Sequence, residues 1–66
     1  MLLKVETMTC NHCVRSVTNA VKSVDPRAEV NVDLSSQEVR VVSQSDAEAI
    51  AAAIRAEGYS AAVIER

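Results

Sequence analysis

Aromatic residues are almost missing from this chain: there is no tryptophan, no phenylalanine and a single tyrosine, Tyr59. The core must therefore be aliphatic, and there is no platform on which the bases of a single strand could stack. Basic residues are not in excess either. Lys and Arg number 7 against 9 Asp and Glu, for a formal net charge of -2, and they form no basic stripe. Both features argue against nucleic-acid binding. Long apolar runs are lacking as well. Met1-Leu2-Leu3 passes directly into Lys4 and Glu6, which is not a signal peptide, and no stretch approaches the roughly 20 residues of a membrane span. These absences predict a cytoplasmic protein without membrane insertion. No internal repeat, linker or low-complexity segment interrupts the chain.

What is present describes one small folded domain over residues 1–66. Hydrophobic residues make up 48% and charged residues 24% of the chain, a folded rather than a disordered composition. At this length only about 60% of the unfolded surface can be buried, so stability should be modest. Charge is unevenly spread. Residues 1–27 carry Lys4, Arg15, Lys22 and Arg27 against Glu6 and Asp25, whereas the remainder carries Arg40, Arg55 and Arg66 against seven carboxylates. Such a dipolar surface could orient a protein partner, or simply keep the protein soluble.

The hydrophobic pattern predicts six elements. Leu2 to Glu6 reads as a strand with Leu3 and Val5 inward. A loop from Thr7 to Asn11 leads into a helix from about His12 to Lys22 or Val24, with Val14, Val17, Val21 and Val24 on one face beside Ala20. Valine is a mediocre helix former, so packing must hold this helix. Asp25-Pro26 ends it. Ala28, Val30, Val32 and Leu34 alternate with polar residues as a half-buried strand. Ser35-Ser36-Gln37 turns into a second strand, Glu38 to Val42, with Val39 and Val41 inward. Ser45-Asp46-Ala47-Glu48 has the form of a capping box with Ser45 as N-cap. It opens a helix whose buried stripe is Ala47, Ile50, Ala51 and Ile54. Gly58 stands where that helix should be capped, and Ser60 to Glu65 is the last strand. The order strand, helix, strand, strand, helix, strand predicts an α+β, ferredoxin-like βαββαβ sandwich. In it a four-stranded antiparallel sheet carries two helices on one face. Val5, Val17, Val21, Val30, Val32, Val41, Ile50, Ile54 and Val63 are the expected core.

The chemistry is concentrated in Met8-Thr9-Cys10-Asn11-His12-Cys13. This window holds both cysteines, the only histidine and one of two methionines. Two cysteines separated by two residues can bring both thiolates onto one ion, and thiolates favour Cu(I), zinc and iron–sulfur centres over hard cations. A loop would carry Cys10 and the first helical turn Cys13, where the helix start favours a thiolate. A c-type haem would need histidine directly after the second cysteine, and Val14 stands there. A structural zinc site would need four ligands, more than this chain offers. A thioredoxin-like oxidoreductase also opens a helix with such a pair, but it is larger and needs a substrate-binding architecture absent here. No catalytic carboxylate or base gathers around this window, so the chain does not read as an enzyme.

With its Met-Thr-Cys-x-x-Cys motif at a loop–helix junction, its two crossovers and its Glu57-Gly58-Tyr59 segment, the whole chain resembles the heavy-metal-associated (HMA) domain family. Within that family it is most similar to small bacterial copper chaperones of the CopZ and Atx1 type. One departure is Thr7, where the family usually has glycine. The resemblance implies that Cys10 and Cys13 hold Cu(I) near-linearly in a shallow, exposed site. It implies transfer by thiolate exchange, with the metal-binding domain of a copper-transporting P-type ATPase as acceptor; a copper-responsive repressor is a second candidate. Met8 would pack below the loop or supply a third ligand. His12 would lie at the surface, or else tune thiol acidity, ligate a second ion or bridge metal in a homodimer. Tyr59 would cover the site or donate a hydrogen bond near the sulfurs, against ordinary packing of the one aromatic ring. Alternatives within the resemblance are a metal-binding domain of a larger ATPase, a copper buffer without a dedicated acceptor and a mercury-binding protein. The start methionine and compact ends favour a free-standing chaperone.

Overall fold

The computed structural model describes residues 1–6 and 11–65. The expectations for Met8, Cys10 and the rest of residues 7–10, and for Arg66, lie outside the described residues. The elements run β1 (Leu2–Glu6), α1 (Asn11–Val24), β2 (Glu29–Asp33), β3 (Glu38–Val42), α2 (Ala47–Ala56) and β4 (Ser60–Glu65). The sheet has four strands in the order β2-β3-β1-β4, and every neighbouring pair is antiparallel. Each helix therefore connects two parallel strands with a third strand between them, the arrangement that the element order predicts.

The sheet order explains which residues form the core. β1 and β3 are the inner strands, and their inward residues Leu3, Val5, Val39 and Val41 are all 0% exposed. α1 contributes Val17, Ala20 and Val21 to the buried layer, and α2 contributes Ala47, Ile50, Ala51 and Ile54. Val30, Val32 and Val63, expected in the core, are only half-buried. They lie on β2 and β4, the two edge strands, where one flank of each side chain has no neighbouring strand to cover it. Leu3 and Val39 are buried in their place.

Three local boundaries differ from expectation. α1 begins at Asn11, one residue early, and β2 is trimmed to Glu29–Asp33, leaving Ala28 and Leu34 as flanking packed residues. The capping box does not form. The N-cap of α2 is Asp46, with no side-chain cap bond. Ser45 instead donates its backbone N–H to Ser43 Oγ at 3.0 Å, and Glu48 accepts from Arg55 at 3.3 Å. Both members of the expected box are thus engaged elsewhere. At the other end of α2 the cap residue is Glu57, and Gly58 follows at φ 97. That left-handed conformation is readily open only to glycine here, and it lets Gly58 N–H return to Arg55 O at 2.9 Å.

Two carboxylates organise the connections. Asp33 Oδ1 accepts from Ser35 Oγ at 2.7 Å and from Ser35 N at 3.0 Å, fixing the β2–β3 turn. Asp25 accepts from Ser43 Oγ at 2.6 Å and from the Arg27 N–H at 3.0 Å, tying the α1–β2 connection to the β3–α2 connection. The Ser35 hydroxyl holds the Asp33 carboxyl below its ordinary pKa, aided by the Ser36 and Ser35 amides. The Ser43 hydroxyl does the same for Asp25, with the Arg27 amide. A carboxylate pKa depressed by folding contributes stability that is present above its unfolded value, about 3.9, and is lost as pH falls through the folded value.

Thermal melts should therefore show a Tm that declines as pH drops below about 4. Asp33→Asn should lower the Tm at pH 7 and converge with the parent at the acidic end; a constant gap between the two across that range would refute the linkage. Val21→Ala removes two fully buried methyl groups and should destabilise by roughly 1–3 kcal/mol, with transfer and cavity terms combined. A denaturant titration giving less than about 0.5 kcal/mol, below the range for buried aliphatic truncation, would contradict the packing.

Candidate metal centre

The antiparallel order brings three connections to one end of the sheet: the β1–α1 junction, the β2–β3 turn and the α2–β4 turn. β1 runs toward that end, and its last pair in the ladder with β4 is Glu6 with Ser60. Tyr59 is therefore the next residue along β4's line, at the mouth of the β1–α1 connection. On the other flank, Lys4 Nζ donates to Ser36 O at 2.7 Å and Val5 N–H to Gln37 O at 2.9 Å. β4 on one flank and the β2–β3 turn on the other thus fix the direction of β1 as the chain leaves for residues 7–10.

Cys13 is the third residue of α1. It is half-buried, with its side chain against the core cluster. The first turn of a helix presents unsatisfied N–H groups and a partial positive charge, which favour thiolate over thiol. No acidic residue occupies that turn, so the helix start is not already neutralised by a carboxylate. His12 sits one position earlier, about 100° around the helix axis, and is exposed. The structure thus separates the two: Cys13 faces the body of the domain and His12 faces solvent. Tyr59, like Cys13, is half-buried and packed against the core cluster.

The candidate residues therefore divide plainly. Cys13 and Tyr59 come to the same end of the sheet and each packs against the core cluster, His12 is exposed, and Cys10 and Met8 belong to residues 7–10. Among the described residues no group of three or more His, Cys, Asp or Glu could hold a metal ion. A two-sulfur donor set suits a soft monovalent ion of low coordination number, and it suits magnesium or calcium poorly. The depression lined by Asp25, Arg27, Val42, Ser43, Gln44 and Ser45 belongs to the connections at the opposite end of the sheet.

Sequence reasoning missed Arg55. Its Nε donates to Ala61 O at 2.9 Å, which closes the Glu57-Gly58-Tyr59 turn from the α2 side. Only its spacing seven residues after Glu48, two turns along the same helix face, offered a signal. No helix among the described residues is long and apolar enough to cross a membrane.

The comparisons agree with this geometry. The family model of the heavy-metal-associated domain matches residues 2–60. The copper chaperone CopZ of Bacillus subtilis is 38% identical over 63 residues, covering 91% of this chain and 91% of its own. Copper-transporting ATPase 1 of Rhizobium meliloti is 42% identical over 57 residues, covering 83% of this chain but 7% of the ATPase. The chain spans less than a fifth of the length of two of the curated relatives that it matches. Among solved structures, the copper chaperone Atx1 from Synechocystis PCC6803 in its Cu2 form superposes with a TM-score of 0.88 at 35% identity, covering 94% of this chain and 98% of that one. With a matching family model over nearly its whole length and a relative of the same size, the chain belongs to the heavy-metal-associated domain family.

Proposed function

We propose that the protein is a cytosolic copper chaperone, its single domain spanning residues 1–66, and that Cys10 and Cys13 bind Cu(I) as cargo and pass it on. The observation that carries this reading is the position of Cys13. It stands in the first turn of α1, a turn without a carboxylate, directly after the connection that contains Cys10. Two thiolates there satisfy Cu(I) and leave room for a third sulfur. An incoming thiol gives up its proton and its sulfur bonds to copper. One copper–sulfur bond to the donor then breaks, and that sulfur can take up a proton. A second such exchange completes the transfer without free ion.

The ATPase relative supports a copper-transporting P-type ATPase as the acceptor, through its own metal-binding domain. A copper-responsive repressor and a metal-bridged homodimer are further partners of the same chemistry. The patch around Cys10, Cys13 and Tyr59 would make the contact, small enough for a transient encounter steered by charge. Met8 packs beneath the loop in this reading, Tyr59 shields the sulfurs, and the exposed His12 serves only secondary contacts.

Competition against a Cu(I) chelator tests the site. Cys10→Ser and Cys13→Ser should each abolish tight Cu(I) binding while the apo fold persists. His12→Ala should keep mononuclear affinity within about tenfold, or roughly 1.4 kcal/mol. Near-parental affinity in either serine variant would remove that cysteine from the site, and a large loss in monomeric His12→Ala would make His12 a primary ligand.

A further inference from the structure

The outer edge of β4 raises a separate question. A sheet with two edges must protect both from pairing with another chain. β2 is guarded by its exposed residues Glu29, Asn31 and Asp33. β4 is guarded only at its far end, by the exposed Glu65: the run Ser60-Ala61-Ala62-Val63-Ile64 carries no charge, and Ile64 is 50% exposed.

The ladder shows which backbone groups face that edge. Val5 N–H donates to Gln37 O on the β3 side of β1. The N–H and C=O of one strand residue point the same way, so Val5 turns away from β4. Its partner Ala61 then forms a pair of the non-hydrogen-bonded kind, with both of its backbone groups directed to the free edge. Val63, partnered with Leu3 two residues along, does the same. Arg55 reaches over from α2 and takes one of these groups, its Nε donating to Ala61 O at 2.9 Å. Glu48 steadies the guanidinium through a 3.3 Å contact to Nη1, with both side chains about half exposed. An exposed ion pair of this kind holds weakly.

We propose that the β4 edge is a self-pairing surface for a second copy of this chain, closed in the monomer by Arg55. The geometry is self-complementary. Antiparallel pairing about a twofold axis at Ala62 sets Ala61 against Val63 of the second copy, and Val63 against its Ala61. That makes four backbone hydrogen bonds, two of which use the Ala61 carbonyls that Arg55 occupies. Ala62, small and exposed, tolerates the close approach at the axis. The irregularity in the β1–β4 register between Leu2 and Leu3 limits the pairing to this short run. Such a dimer needs no metal and leaves the Cys13 end of each copy outside the seam.

Sedimentation of the reduced, metal-free full chain, with hydrogen exchange on the same samples, tests the proposal. Arg55→Ala should strengthen dimerisation by roughly tenfold or more, as expected for two recovered hydrogen bonds, and slow exchange at the Ala61 and Val63 amides. Glu48→Gln, which loosens Arg55 without removing it, should shift the equilibrium the same way by less. Adding Ala62→Lys sets like charges opposite each other at the axis and should return either variant to monomer. The proposal is overturned if both variants stay as monomeric as the parent. It is equally overturned by dimers whose Ala61 and Val63 amides exchange at the monomer rate, or that survive Ala62→Lys.

Discussion

The pairing of β1 on both flanks is the constraint on which the rest of the structure depends. Leu3 and Val5 are fully buried under the two helices, while β3 and β4 hold the backbone from either side. A strand so held cannot shift by one residue without turning its two core side chains to solvent. The chain therefore leaves Glu6 at a fixed place and in a fixed direction. α1 is fixed in turn by Val17, Ala20 and Val21. The connection that bears Cys10 spans two anchored ends, and Cys13 stands on the second of them. An aliphatic core without large rings suffices because the two inner strands and two short helices bury small, branched side chains on all sides.

This arrangement suits a carrier rather than a container. A carrier must bind its ion firmly yet release it to a competitor of similar chemistry. In the proposed reading, firmness would come from the two thiolates and the helix start, and release from a low coordination number that leaves room for another protein's sulfur. Carboxylates in the first turn of α1 would raise the thiol pKa and weaken the site, and that turn has none. The carboxylates that do matter structurally, Asp25 and Asp33, are spent on turns.

The fold was largely legible in the sequence because its signals are local and periodic. Alternation at Leu3 and Val5 and at Val39 and Val41, and the helical stripe Ala47-Ile50-Ala51-Ile54, each report a buried face directly. What was misjudged depends on neighbours that a linear pattern does not contain. Val30, Val32 and Val63 look like core residues until the strand order puts them on the edges. Ser45 and Glu48 have capping-box spacing, but Ser43 Oγ takes the Ser45 N–H from two residues back and Arg55 engages Glu48 from two turns along the same helix. These are local competitors that the spacing alone does not rank. At the site, the family motif named Cys13 and Tyr59, and the Glu6–Ser60 register explains how residues so far apart in the chain reach one end. Arg55 left no mark in the hydrophobic pattern, since its role is to hold a backbone carbonyl.

The central claim is that copper passes directly from this protein to another. The decisive measurement mixes the Cu(I)-loaded protein with an apo metal-binding domain of a copper-transporting ATPase, in the presence of a chelator that traps released ion. Direct exchange predicts that the acceptor fills at a rate proportional to its own concentration and independent of the chelator. Filling that slows as chelator is added, at a rate set only by copper release, would contradict the account and leave a copper buffer.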